Sequence, residues 1–233
     1  MHPYQPLIPP LLKSKQKFLQ QQAKVASFIH LIGDSPILRQ KSTEVRPKDI
    51  DSGMFREKLG YLQSCFWKYR KATGLGRGMA AVQVGIPELF FVVLFKEEKE
   101  LRVFINPKIT DRAEERLLYS EMCMSAAPLL APVVRPAWIA FDYLDEAGER
   151  QSWKMKADDL QGKIYNRIMQ HEIDHLEGII NIDTVESREL TYAFDENQFI
   201  HLGFAKARRE KLKFIRLGSR RARRAKVHVP EKP

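Results

Sequence analysis

The sequence contains no run of about 18 apolar residues, so no transmembrane helix is expected. It has two cysteines, Cys65 and Cys123, too few for a disulfide framework. A reducing compartment and a reactive or liganding thiol are the more natural reading. No internal repeat is present, so a repeat architecture is excluded. Acidic residues are missing from residues 1–33, which hold four lysines, and nearly missing from residues 206–226, where eleven Lys/Arg face one acid, Glu210. The second stretch alone carries as much net charge as the whole chain, +10, and leaves the middle, 34–205, slightly acidic. The basicity describes two ends of the chain and says nothing about the substrate of its core.

What is present suffices for one domain with extensions: 233 residues, 44% of them hydrophobic. Residues 1–29, with Pro3, Pro6, Pro9 and Pro10 ahead of a Lys/Gln-rich stretch, read as an N-terminal extension outside the core. An acid-free basic start fits a transit peptide, against which stand the absence of arginine and the scarcity of serine; a tail is the plain alternative. Residues 49–72 read as a helix, because Phe55, Leu59, Leu62, Phe66 and Tyr69 recur at three and four. Cys65 lies beside that face and reads as a small buried hydrophobe. Strands are expected at 89–95 and at 101–105, the latter stopped by Asn106-Pro107. A hairpin of 137–144 with 150–156 is expected across Asp145 to Gly148. Asp158 or Asp159 then caps a helix that Gly178 ends, with Leu160, Ile164, Ile168, His171 and His175 on one inward stripe. Residues 186–226 are expected to be partly helical, with Phe199, Leu202, Leu212 and Ile215 forming a docking face.

That second predicted helix carries His171-Glu-Ile-Asp-His175. Residues four apart on a helix point the same way, so both imidazoles reach one ion. Glu172, offset by one residue, sits beside the metal without ligating it, which suits a general base. Asp174 is placed to orient a ligand. Two histidines are too few, since a catalytic site usually has three protein ligands and an open position. The third donor comes either from downstream, where Glu186, Glu189 and His201 stand, or from upstream, where Cys123 lies within Ser120-Glu-Met-Cys-Met-Ser125.

Three motifs occur in order. Gly76-Arg-Gly-Met-Ala-Ala-Val-Gln83 matches G-x-G-x-A-A-x-Q, Glu121-Met-Cys-Met-Ser125 matches E-G-C-L-S at three of five positions, and His171 to His175 matches H-E-x-D-H. In these and in Gly33 to Arg39 and Val133-Val-Arg135 the chain resembles the peptide deformylases, from about Leu31 to about Asp183. The resemblance implies an α+β fold of mixed antiparallel sheets packed around a central helix that carries the histidines. It implies metal ligands Cys123, His171 and His175, Glu172 as base, and an oxyanion held by Gln83 and the backbone N–H of Met124. It implies one divalent ion, Fe(II) favoured, with zinc or another divalent ion as alternatives. The substrate would be the formyl-methionyl end of a nascent polypeptide. Gly76, Gly78, Met122, Arg135, Ile164 and Ile168 are the candidates for contact with it. Met122 replaces the family glycine and is expected to narrow the cleft.

The expected organisation is then an extension over 1–29, a metallohydrolase domain over 30–203 and a basic tail over 204–233. Two rival readings remain open at this point: a deformylase-like binding protein on the ribosome without strong activity, and a zinc endopeptidase. The basic tail suits ribosomal phosphate. Formylated initiation and the N-terminal stretch favour a mitochondrion or plastid, with a bacterial-type cytoplasm as the alternative.

Overall fold

The computed structural model describes residues 19–33, 36–95, 99–187, 190–192 and 215–217. Among these residues nine strands form two antiparallel sheets. They are β1 (Gly78–Ala80), β2 (Phe90–Phe95), β3 (Glu100–Arg112), β4 (Arg116–Met122), β5 (Leu129–Pro136), β6 (Ile139–Leu144), β7 (Arg150–Lys154), β8 (Thr191–Tyr192) and β9 (Ile215–Leu217). The first sheet runs β1-β2-β3-β6-β7 and the second β8-β5-β4-β9. Two long helices, α1 (Gly53–Thr73) and α2 (Leu160–Leu176), complete the frame.

The unbroken apolar run of β2 explains how these parts stack. Successive side chains of a strand point to opposite faces, so a strand buried on both faces must be apolar throughout. Phe90, Val92 and Leu94 join one core cluster with Phe55, Leu59, Leu62, Phe66 and Tyr69 of α1. Phe91, Val93 and Phe95 join a second with Tyr165, Met169, Ile173 and Leu176 of α2. The first sheet is thus sandwiched between α1 and α2, and each fully buried Leu or Phe contributes about 2 kcal/mol of transfer free energy. Ser52 caps α1 by accepting from Phe55 N, and Gly74, at φ 71, ends it.

The structure changes several expectations. β3 does not stop at Asn106-Pro107 but continues to Arg112 through a register shift between Ile105 and Lys108. Asn106 takes the left-handed φ of 51 that asparagine tolerates. Its carboxamide both accepts from Val45 N (2.9 Å) and donates to Val45 O (2.7 Å), which makes the bulge a tie point. Residues 19–25 are helical, and Val25 and Ile29 are fully buried in the α1 cluster. That part of the 1–29 stretch belongs to the core, because its apolar residues cover α1. Within 186–226, where a partial helix is expected, the described residues include the strands β8 and β9, and Ile215 pairs with Leu118 rather than lying on a helix face. Phe199, Leu202 and Leu212 lie outside the described residues.

Candidate metal centre

α2 is positioned by Asp159, whose carboxylate accepts from Gly162 N at 2.7 Å, and it closes at Glu177 just before Gly178 (φ 76). Its apolar row is Tyr165, Met169, Ile173 and Leu176, one residue offset from the stripe expected through Ile164, Ile168, His171 and His175. The histidine row faces the second sheet instead. Leu160 is exposed, and Ile164 and Ile168 are half-buried, Ile168 packing at the edge of the α2 cluster. The helix therefore has two contact sides, an apolar one against the first sheet and a polar one against β4 and β5.

On the polar side Cys123, which follows β4, meets the helix. Ligand atoms of Cys123, His171 and His175 lie within 4.8 Å of one another, and Cys123 Sγ is 3.2 Å from His175 Nε2. Burial alone would push the Cys123 thiol up, but charge and hydrogen bonds from His175 and His171 prevail and hold it well below its usual range. The donor set fits a divalent ion: a thiolate and two imidazoles converge at the spacing that ligand bonds of about 2.0–2.3 Å require. Cys123 supplies a third donor from upstream; of the downstream candidates Glu186 does not join this cluster, and Glu189 and His201 lie outside the described residues.

Glu121 orders the cluster, and sequence reasoning gave it no role. Its Oε2 contacts His171 Nδ1 at 2.9 Å, which leaves Nε2 facing the cluster. Arg135 donates to both of its oxygens (2.8 and 3.1 Å), and Asn181 Nδ2 to its backbone carbonyl at 3.0 Å. Burial opposes the charge of Glu121, yet Arg135 and His171 hold the carboxyl well below the usual range. Arg135 is not placed for substrate: 5% exposed, it directs its guanidinium to Glu121 and, at 2.5 Å, to Asp174. Asp174 thus acts on this network and not on a histidine directly. The legible signal for Glu121 was its spacing, two residues before the thiol and hence on the adjacent strand position facing α2.

Glu172 is 4% exposed and one of its oxygens, Oε2, has no hydrogen-bond partner. Burial lifts its carboxyl to about 7, against the pull of His171 and His175. Gly78 makes room for it, since a Cβ there would lie 2.5 Å from Glu172 Oε1. The role expected for Gly78, close approach of a peptide, is taken up by this internal contact. Gly76, at φ 93, faces Met124 Cε and Tyr69. Gln83 sits in a short 3-10 turn, Ala81–Val84, with its Oε1 accepting from Ala80 N at 2.9 Å. Its Nε2 donates to Ser125 Oγ (3.0 Å) and towards Cys123 Sγ (3.7 Å). Met124 opens the turn Met124–Ala126, and its side chain is buried in the α1 cluster, against which Met122 is half-buried.

A helix-borne pair of histidines, a thiolate donor and a buried carboxyl beside them define a metal-dependent hydrolase site. The sequence profile of the family "Polypeptide deformylase" matches residues 29–191. The chain belongs to this family. It is 37% identical over 158 residues to the peptide deformylase of Rhizobium meliloti, covering 66% of this chain and 83% of that protein. To that of Rhizorhabdus wittichii it is 39% identical, covering 66% and 85%. Among solved structures, a Synechococcus elongatus peptide deformylase in complex with actinonin matches at TM-score 0.57 and 32% identity, covering 69% of this chain and 80% of that one. A probable peptide deformylase from Synechococcus phage S-SSM7 matches at TM-score 0.56 and 35% identity, covering 66% and 97%.

Proposed function

We propose that the protein hydrolyses the formyl amide at the N-terminal methionine of newly made polypeptides, releasing formate and a free amine. The observation that carries this reading is the convergence of Cys123, His171 and His175 beside the buried Glu172. A divalent ion held by those three side chains, Fe(II) or Zn(II), supplies a Lewis acid that lowers the pKa of water from about 16 to about 7. Glu172 takes the proton from the attacking water and passes it to the departing nitrogen; a carboxyl near 7 is poised for both transfers. Gln83 and the backbone N–H of Met124 donate to the oxygen that gains charge, each such donor contributing about 3–4 kcal/mol. Ile164 and Ile168, half-buried about two turns and one turn before His171, line the approach for the methionine side chain.

The test is a pair of measurements on metal-loaded protein with a formyl-Met peptide. Glu172→Ala should keep stoichiometric metal and lose on the order of 10²–10⁴ in kcat. Cys123→Ala, His171→Ala and His175→Ala should each lose the metal by elemental analysis. Full metal in Cys123→Ala would sink the three-donor assignment.

The N-terminal residues support a mitochondrial or plastid location, where formylated initiation occurs. A presequence removed upstream of residue 19 would leave the packed segment around Val25 and Ile29 intact. A reporter carrying residues 1–30 that stays cytosolic in eukaryotic cells would count against that location.

A further inference from the structure

Arg167 has no part in the chemistry drawn above, yet it is a charged residue only 7% exposed. It lies one turn before His171 on the same side of α2, since residues four apart are neighbours on a helix. Its Nη1 donates to Glu121 Oε1 at 2.9 Å and to Val133 O at 3.0 Å, and its Nη2 to Leu117 O at 2.7 Å. One planar fork therefore ties α2 to β4, to β5 and to the carboxylate that meets His171.

We infer that Arg167 is a positioning residue for the metal centre, holding His171 and the strand that leads to Cys123 in register. The inference rests on the metal-site reading proposed above. Its basis is saturation. A carboxylate offers about four lone-pair sites. Glu121 fills them by accepting two bonds from Arg135, one from Arg167 and one from His171 Nδ1. It can turn only by breaking a charge-assisted bond. The two arginines hold it from opposite sides of His171. Arg135, a β5 residue, reaches α2 beyond His171 through Asp174, which is 26% exposed. Arg167 reaches β4 and β5 from before His171, entirely within the buried layer and partly through backbone carbonyls, which do not rotate or titrate. The Arg167 tie is the more rigid of the two, and it sets the gap between helix and strand across which the donors converge.

A purely structural arginine would predict lost stability and nothing more, so the test reads the metal. The probe is cobalt(II), followed by the near-ultraviolet charge-transfer band of its bond to thiolate and by its dissociation constant. Asn166→Ala is the control. It removes the bonds of Asn166 to Ile139 N, Met155 O and Gly162 O on the same helix, none of which reaches Glu121. Arg167→Met should bind cobalt roughly 10- to 100-fold more weakly, with a shifted band. Asn166→Ala should lose thermal stability with the wild-type band and affinity. Should Arg167→Met fail to fold, Arg167→Lys keeps one charged donor but not the fork, and an affinity below wild type is expected. Wild-type cobalt affinity and spectrum in the folded Arg167 variants overturn the inference, as does an equal loss in Asn166→Ala. Wild-type protein that gives no thiolate band overturns the metal-site reading and this inference with it.

Discussion

At Gly78 the chain omits a side chain because the Glu172 carboxyl lies where the methyl would be, 2.5 Å from a built Cβ. Gly78 has no positive φ, so its conformation would suit alanine; only the space would not. Gly78→Ala should therefore displace Glu172 while leaving the donor cluster whole. The expected result is a fall in kcat of about 10²-fold with unchanged metal content, and normal turnover would show that Glu172 has room to move. The two cysteines give the complementary contrast. Both are fully buried, but Cys65 packs among Phe66 and Leu62 of the α1 cluster, whereas Cys123 faces two imidazoles. Burial raises the Cys65 thiol against the opposing pull of Tyr61 and Lys68, and histidines lower that of Cys123. A thiol-reactive probe applied to metal-free protein should accordingly label Cys123 ahead of Cys65.

Among the elements, α1, the β6–β7 hairpin and the histidine helix were legible because each repeats one period without interruption. Phe55 to Tyr69 keeps the spacing of a helix face, and all five of its apolar residues are buried. β4 and β5 were not legible. Their positions facing α2 end in Glu121 and Arg135, and Pro132 and Pro136 interrupt the sequence, so polar residues stand where alternation demands apolar ones. The ion network that orders the site is what hid its strands. The one-residue error in the stripe of α2 has the same source, since a helix packed on two sides offers two parallel rows and only one is apolar. The N-terminal segment misled for a different reason: its proline-rich beginning masks the pair Val25 and Ile29. Ile29→Ala should cost about 2–5 kcal/mol in denaturant unfolding, the loss of a core residue; a change within about 0.5 kcal/mol would mean that the segment is an appendage.

For the molecule as a whole, the charge of its ends and the order of its second sheet matter most. A basic tail would raise local substrate concentration if it held the enzyme to ribosomal phosphate. A truncation at residue 203 is the obvious test of the tail but removes β9, which pairs Arg116 with Leu217 on the strand that carries Glu121. Neutralising Arg220, Arg221, Arg223, Arg224 and Lys226 spares that pairing. The variant should turn over short formyl peptides normally and co-sediment less with ribosomes at low salt; equal co-sedimentation would remove these residues as a tether. The pairing of β9 has a consequence in time as well. Bringing Arg116 and Leu217 together closes a loop of roughly 100 residues, an entropic cost of about 4 kcal/mol set against a strand of three residues. The β1 to β3 pairs close far shorter loops, so the first sheet should gather early and β9 arrive late. Until it does, β4 shows an open edge next to Glu121, and a refolding chain offers that edge to its neighbours. Refolding yield should fall with protein concentration for this reason, and the strand that builds the metal centre is where misassembly would begin.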